Sequence, residues 1–229
     1  MSLAAAGLAT VATGIGLALT GPATTAHAAD VPAPAAHAGA PAAAPGAPGA
    51  PGAPGAPAAA PAKTLPHETK QQPNFYYCGP SATRNALSAL GAKADVHQLA
   101  TELGTTEDGT NSAAEITRVL NKHTGHDRYR TVKLPNPKAT PAQTTALKTD
   151  VVTTVGAGDP IVANVAGRIT DTDGQSHAYD GGHYLAVVGY ENQGDIVTIA
   201  DSADPDGNPD YKVKIGDLAN WIASRGYSA

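Results

Sequence analysis

The sequence predicts an α+β domain, and three observations lead there. Segments with helical spacing and cap residues run from Cys78 to about residue 150, whereas short β-branched runs between Gly and Asp clusters follow from Ile161 to Asp201. Helices first and strands afterwards, without regular alternation, argue for a helical half packed on an antiparallel sheet. The third observation confines the domain: residues 1–62 hold no Lys, Arg or aromatic residue and one acid, Asp30. Such a stretch buries too little apolar surface to offset its ordering entropy, so the packed core is expected within residues 64–229.

The elements follow in order. After Cys78, residues Ala82, Ala86, Leu87 and Leu90 share one helical face, and Gly91 stops the helix. Asp95 is placed to cap a second helix that carries Leu99 and Leu103 to Gly104. Ser112 with Glu115 makes a capping-box pattern before Ile116, Val119 and Leu120, with Gly125 as the stop. Thr140-Pro141-Ala142-Gln143 opens a fourth helix, with proline in the first turn where its missing N–H costs nothing. Strands are expected at 161–167, 183–190 and 195–201, the last two joined as a hairpin through residues 191–194. A further strand and a closing helix with Leu218, Trp221 and Ile222 inward complete the chain.

Ahead of the domain, residues 3–20 form an uncharged apolar run that leads to Ala26-His27-Ala28, a small-residue cleavage pattern. Residues 1–28 are therefore expected to be a signal peptide and the mature chain to be secreted, without stable membrane association. The competing reading is a membrane-spanning helix, for which this Ala/Gly/Thr-rich run is short. No Lys or Arg precedes the run. Residues 29–63, with Gly-Ala-Pro in four copies from Gly46 to Pro57, are expected to be a disordered linker. The net charge of −5 and the lack of a Lys/Arg cluster exclude an electrostatic footprint for nucleic acid.

One cysteine is present, Cys78 at a helix start. A thiol there is either a small buried hydrophobe or a reactive group, because the helix terminus and a nearby imidazole both favour the thiolate. An unpaired thiol in an exported protein weighs toward the second reading. Of eight histidines, His183 stands out because it opens an apolar strand after Gly181-Gly182, whereas His177 falls in a polar Asp/Gly/Ser stretch. If 183–190 and 195–201 pair, Asp201 ends its strand beside the start of the other, where a carboxylate orients an imidazole. Gln72, six positions before Cys78, is placed to donate an N–H near the Cys78 backbone N–H, with Gln71 as competitor.

Gln72, the run Tyr77-Cys78-Gly79-Pro80-Ser81-Ala82, the run from Gly182 to Tyr190 and Ile199-Ala200-Asp201 together resemble the C39-like branch of papain-like cysteine peptidases. The resemblance spans roughly Pro66 to the C-terminus. It implies a papain-like fold with Cys78 as nucleophile, His183 as general base and acid, Asp201 as its orienter and Gln72 in the oxyanion hole. It also implies a peptide or protein substrate and no cofactor. Members fused to transporters cut leader peptides after paired glycines, but this chain carries no transporter segment, so their substrate does not transfer. Gly181-Gly182 reads as a turn. The same residues would serve an acyltransferase, and a peptidase-like binding module without turnover would keep the fold. The Asp-rich stretches 171–174 and 204–207 invite a calcium reading, but the loop register puts Val213 where the bidentate acid belongs, so both read as turns and no metal is expected.

Overall fold

In the computed structural model, residues 60–203 and 207–229 are described. The expected signal peptide and most of the expected linker lie outside them. Residues 60–63, the end of that linker, are tied to the domain: the Tyr190 hydroxyl donates to the Ala60 carbonyl at 3.2 Å, and the Gln193 N–H donates to Pro61 at 2.8 Å. Lys63 and Thr64 then form β1 (Lys63–Thr64).

Helix α1 (Cys78–Ala89) carries Pro80 in its first turn and buries Ala82, Ala86 and Leu87 completely. Small alanines on that stripe let the helix lie close against the sheet. In α2 (Val96–Leu103), the Asp95 carboxylate accepts the N–H groups of His97 and Gln98, and Gly104 closes the helix at φ 64°. In α3 (Ala113–Thr124), the Ser112 hydroxyl accepts the Ala114 N–H and donates to the Glu115 carboxylate, and Gly125 stands at φ 70°. Each side-chain cap satisfies N–H groups that the helix leaves free, worth about 1 kcal/mol.

Strand β2 (Thr131–Lys133) precedes α4 (Pro141–Asp150), which opens with both halves of a Thr140–Gln143 capping box and continues as a π-helical turn over Val151–Val155. The remaining elements are β3 (Ile161–Thr170), β4 (Ser176–Glu191), β5 (Ile196–Ala200), β6 (Asp210–Lys214), α5 (Ile215–Ile222) and β7 (Gly226–Ser228). Among the described residues the sheet runs β2-β7-β3-β4-β5-β6, all neighbours antiparallel, with β1 paired on β4.

Side-chain alternation along β4 builds two cores. Tyr184, Ala186 and Val188 join α1, α2 and α3 on one face, while Leu185 and Val187 join Leu147, Leu218 and Trp221 on the other. Burial on both faces explains why this strand reads as an unbroken apolar run. The observed architecture is the expected α+β class. Three features differ from the sequence reading. β1, β2 and β7 were not anticipated, because two- or three-residue strands carry no periodicity. β3 and β4 also extend beyond 161–167 and 183–190, through polar residues that pair across the Asp171 turn. His177 therefore lies buried in β4, not in a loop. Among the described residues no helix is long and apolar enough to cross a membrane.

Candidate active site

The β4–β5 register sets the site. Ala186 pairs with Ala200, so Asp201 lies opposite Leu185 and diagonal to His183. Residues two apart on a strand share a face, and a diagonal neighbour is within reach of a long side chain. The contact is made: His183 Nε2 lies 2.7 Å from Asp201 Oδ1, with both groups buried. The turn that imposes this register carries three consecutive residues at positive φ, Asn192, Gln193 and Gly194.

Cys78 reaches the same point from the other layer, as the first residue of α1. His183 and the backbone N–H groups of Tyr184 and Gly79 all act on its thiol to favour the thiolate. Since Nε2 is committed to Asp201, Nδ1 is the ring nitrogen left for sulfur. Sequence positions 78, 183 and 201 are thus neighbours, with the His183–Asp201 contact buried and the thiol electrostatically linked to the imidazole.

Burial pushes the Cys78 thiol up, but the His183 hydrogen bond and charge, helped by the two N–H groups, outweigh it and the net shift is downward. For His183 burial pushes the imidazole down, but hydrogen bonds and charge from Asp201 and Cys78 raise it to about 9. Burial raises the Asp201 carboxyl, yet His183 and further donors bring it below the ordinary carboxylate range. Each group is held in its charged form by the others. The arrangement favours the charged forms thiolate, imidazolium and carboxylate together.

Asp201 has further partners that sequence reasoning missed. Tyr179 and Tyr211 each donate a hydroxyl to Oδ2 at 2.8 Å, and the Ala203 N–H donates to Oδ1 at 3.0 Å. The Tyr179 ring also stacks on His183 with centroids 4.0 Å apart, and on its other side faces Trp221 at 5.8 Å. One signal was available: Tyr179 lies four residues before His183, and Tyr211 pairs with Ile199, two residues before Asp201, so alternation points to a common face.

Gln72 is partly buried and Gln71 exposed, which separates the two competitors. Gln72 Nε2 donates to the Asn74 carbonyl at 2.8 Å, its Oε1 accepts from the Ser202 hydroxyl at 3.1 Å, and its backbone N–H donates to Ser202 at 2.9 Å. The loop before Cys78 is thereby tied to the residue following Asp201. Asn74 also accepts the Tyr77 N–H through its carbonyl and the Tyr76 N–H through its side chain.

A second histidine–carboxylate pair stands beside the first. His177 Nε2 lies 3.0 Å from Asp171 Oδ2, and its ring stacks on Tyr211 at 3.7 Å. Asp171 Oδ1 accepts the N–H groups of Asp173 and Gln175, so the stretch 171–174 is a side-chain-closed turn. Residues 204–206 lie outside the described residues. Among the described residues no group of three or more His, Cys, Asp or Glu is placed to hold a metal ion.

An α+β fold with a thiol at a helix N-terminus, facing a histidine–carboxylate pair on an antiparallel sheet, has the layout of papain-like cysteine peptidases. The chain belongs to the Peptidase_C39 like family, which it matches over residues 64–229. Among solved structures it is similar to a C39-like peptidase from Bacillus anthracis, at 16% identity and TM-score 0.47, covering 73% of this chain and 96% of that one. It is also similar to the peptidase domain of Streptococcus ComA, a bi-functional ABC transporter of a quorum-sensing pathway, at 16% identity and TM-score 0.43, covering 69% and 93%. A double glycine motif protease from an AMS/PCAT transporter, in complex with its leader peptide, shares 13% identity at TM-score 0.44, covering 72% and 91%. No curated protein matches the sequence.

Proposed function

We propose that the protein is an exported cysteine peptidase that hydrolyses peptide or amide bonds through Cys78, His183 and Asp201. The observation that carries this reading is the buried His183–Asp201 contact, with the Cys78 thiol at the start of α1 electrostatically linked to the imidazole. The Cys78 thiolate attacks the scissile carbonyl, and the oxyanion is held by the Cys78 N–H, which has no partner within the first turn of α1, and by a Gln72 Nε2 hydrogen. His183 gives its proton to the leaving amine. Water, deprotonated by His183, then cleaves the thioester and regenerates the thiol. Asp201 keeps the imidazole oriented and its cation stabilised throughout. Partial burial of Gln72 and its link to Ser202 support its role over that of Gln71.

The test is turnover of a peptide library by the purified chain and by its Cys78→Ala variant. Cleavage that disappears with the thiol supports the reading; full activity in Cys78→Ala overturns it. Export is supported by the apolar run at residues 3–20 and the Ala26-His27-Ala28 pattern, and is tested by mass spectrometry of the protein recovered outside the cell. A chain beginning after Ala28 is expected.

A further inference from the structure

The chain just before His183 is glycine twice, and the second glycine accommodates a neighbour. Gly182 has φ +99°, and a Cβ built there would lie 3.2 Å from one terminal nitrogen of Arg225, and 3.3 Å from its Cζ and its other terminal nitrogen. Three atoms of one planar group at nearly equal distance mean that the guanidinium lies flat against Gly182. Its N–H edges are left facing sideways, where a carboxylate would meet them.

Arg225 is also anchored from behind. Its N–H donates to Ile222 at 2.9 Å, its carbonyl accepts the Leu134 N–H at 3.3 Å, and Ser224 before it stands at φ 64° with its N–H on Asn136 at 2.7 Å. Despite this, the side chain is exposed, and among the described residues it takes part in no ion pair. Arginines held in place are ordinarily held by a carboxylate. Here glycine backbone does the holding, and the charge is unspent. The group lies near His183, because Gly182 adjoins His183 in the chain and because Gly226, next to Arg225, pairs with Asn164, whose neighbour Val165 pairs with His183.

We propose that Arg225 is an anion subsite beside Cys78 that selects substrates carrying a carboxylate next to the scissile amide. The guanidinium fork matches a carboxylate in two parallel hydrogen bonds, and stacking against Gly182 lowers the entropy lost on binding. In a chain of net charge −5, a local cation decides whether an acidic segment approaches this cleft. The inference rests on Cys78 and His183 being the reacting pair.

The test uses the sole cysteine and two alkylating reagents of similar shape. Iodoacetamide is neutral and iodoacetate anionic; each transfers its carbon to sulfur with loss of iodide. For the full chain at low ionic strength, Arg225→Gln is expected to lower the iodoacetate rate by roughly 3- to 10-fold, leaving the iodoacetamide rate within about twofold. Arg225→Lys keeps the charge and most of the iodoacetate rate, and added salt shrinks the difference. An iodoacetate-to-iodoacetamide ratio unchanged by Arg225→Gln overturns the proposal, the neutral reagent serving as the control for folding. Wild-type Cys78 that reacts with iodoacetamide no faster than a free thiol overturns the reacting-pair reading instead, and the ratio still judges Arg225. Matched peptides then separate the carboxylate sources: Glu or Asp near the cleaved bond, a free C-terminus, or a C-terminal amide. An Arg225-dependent preference for one of the first two identifies the source, and equal cleavage of all three overturns the subsite.

Discussion

Tyr179 and Tyr211 donate to the same oxygen of Asp201, each at 2.8 Å, from two strands that flank it on opposite sides. Two hydroxyls on Oδ2 leave Oδ1 to His183 and the Ala203 N–H, so the carboxylate cannot rotate without breaking four hydrogen bonds. Tyr179 in addition covers the His183 ring. The proposed catalytic base is thus held both at its edge and over its face.

Removing these hydroxyls should shift both stability and titration. Tyr211 is buried and Tyr179 half-buried, so Tyr211→Phe is expected to cost more, about 1.5–3 kcal/mol for a lost hydrogen bond to a charged group, since water replaces the donor less readily there. With fewer donors on Oδ2, Asp201 becomes a stronger acceptor for the imidazolium. The alkaline limb of hydrolysis should therefore move upward in either variant. Denaturant melts and pH–rate profiles read the two effects, and an unmoved limb would remove the positioning role.

The pH dependence differs between chemistry at sulfur and hydrolysis. The Cys78 thiol is lowered, so iodoacetamide labelling should rise at lower pH than for an ordinary thiol and then level off. Hydrolysis also needs the His183 proton for the leaving amine, so it should fall as pH passes the raised imidazolium value of about 9. Asp201→Asn removes the charge that raises His183, and should bring that alkaline fall to lower pH. Parallel profiles of labelling and turnover would show the separation.

The two glutamines offer a paired comparison. Gln72→Ala should lower kcat by about 10²–10³, the cost of one oxyanion donor, with Cys78 alkylation little changed. Gln71 is exposed, and Gln71→Ala should leave both within about twofold of the parent. Equal losses in the two variants would assign the effect to the loop as a whole.

Gly79 lets the loop that follows α2 press against the start of α1. A Cβ at this position would sit 2.2 Å from Thr110 Oγ1 and 2.8 Å from its Cβ. Gly79→Ala is expected to destabilise the fold by about 1–3 kcal/mol through overpacking, and to lower thiol reactivity by displacing Cys78. A thermal melt with iodoacetamide labelling checks both, and Thr110→Ala in the same chain should recover part of the loss.

Much of the fold was legible because its signals are local. Asp95, Ser112 and Thr140 cap the helices that their side chains advertise, and Ile116, Val119 and Leu120 are fully buried on the expected stripe. The polar hairpin across Asp171 was not legible. The groups that bury His177 include Tyr211, thirty-four positions away, and no window of neighbouring residues contains that information. His177 and His183 are both histidines on β4 bonded to an aspartate, so residue type alone does not rank them.

The sequence by itself determined the α+β class, the helix that begins at Cys78 and the hairpin parity that aims His183 and Asp201 at one another, because these depend on periods of 3.6 and 2 and on caps within a few residues. Only the tertiary structure decided which aspartate each β4 histidine meets, which glutamine turns inward, that two tyrosines hold Asp201 and that Arg225 lies against Gly182. Most of those contacts join residues far apart in the chain, and their distances are set by strand order in the sheet and by how α1 docks upon it, which local periodicity does not encode.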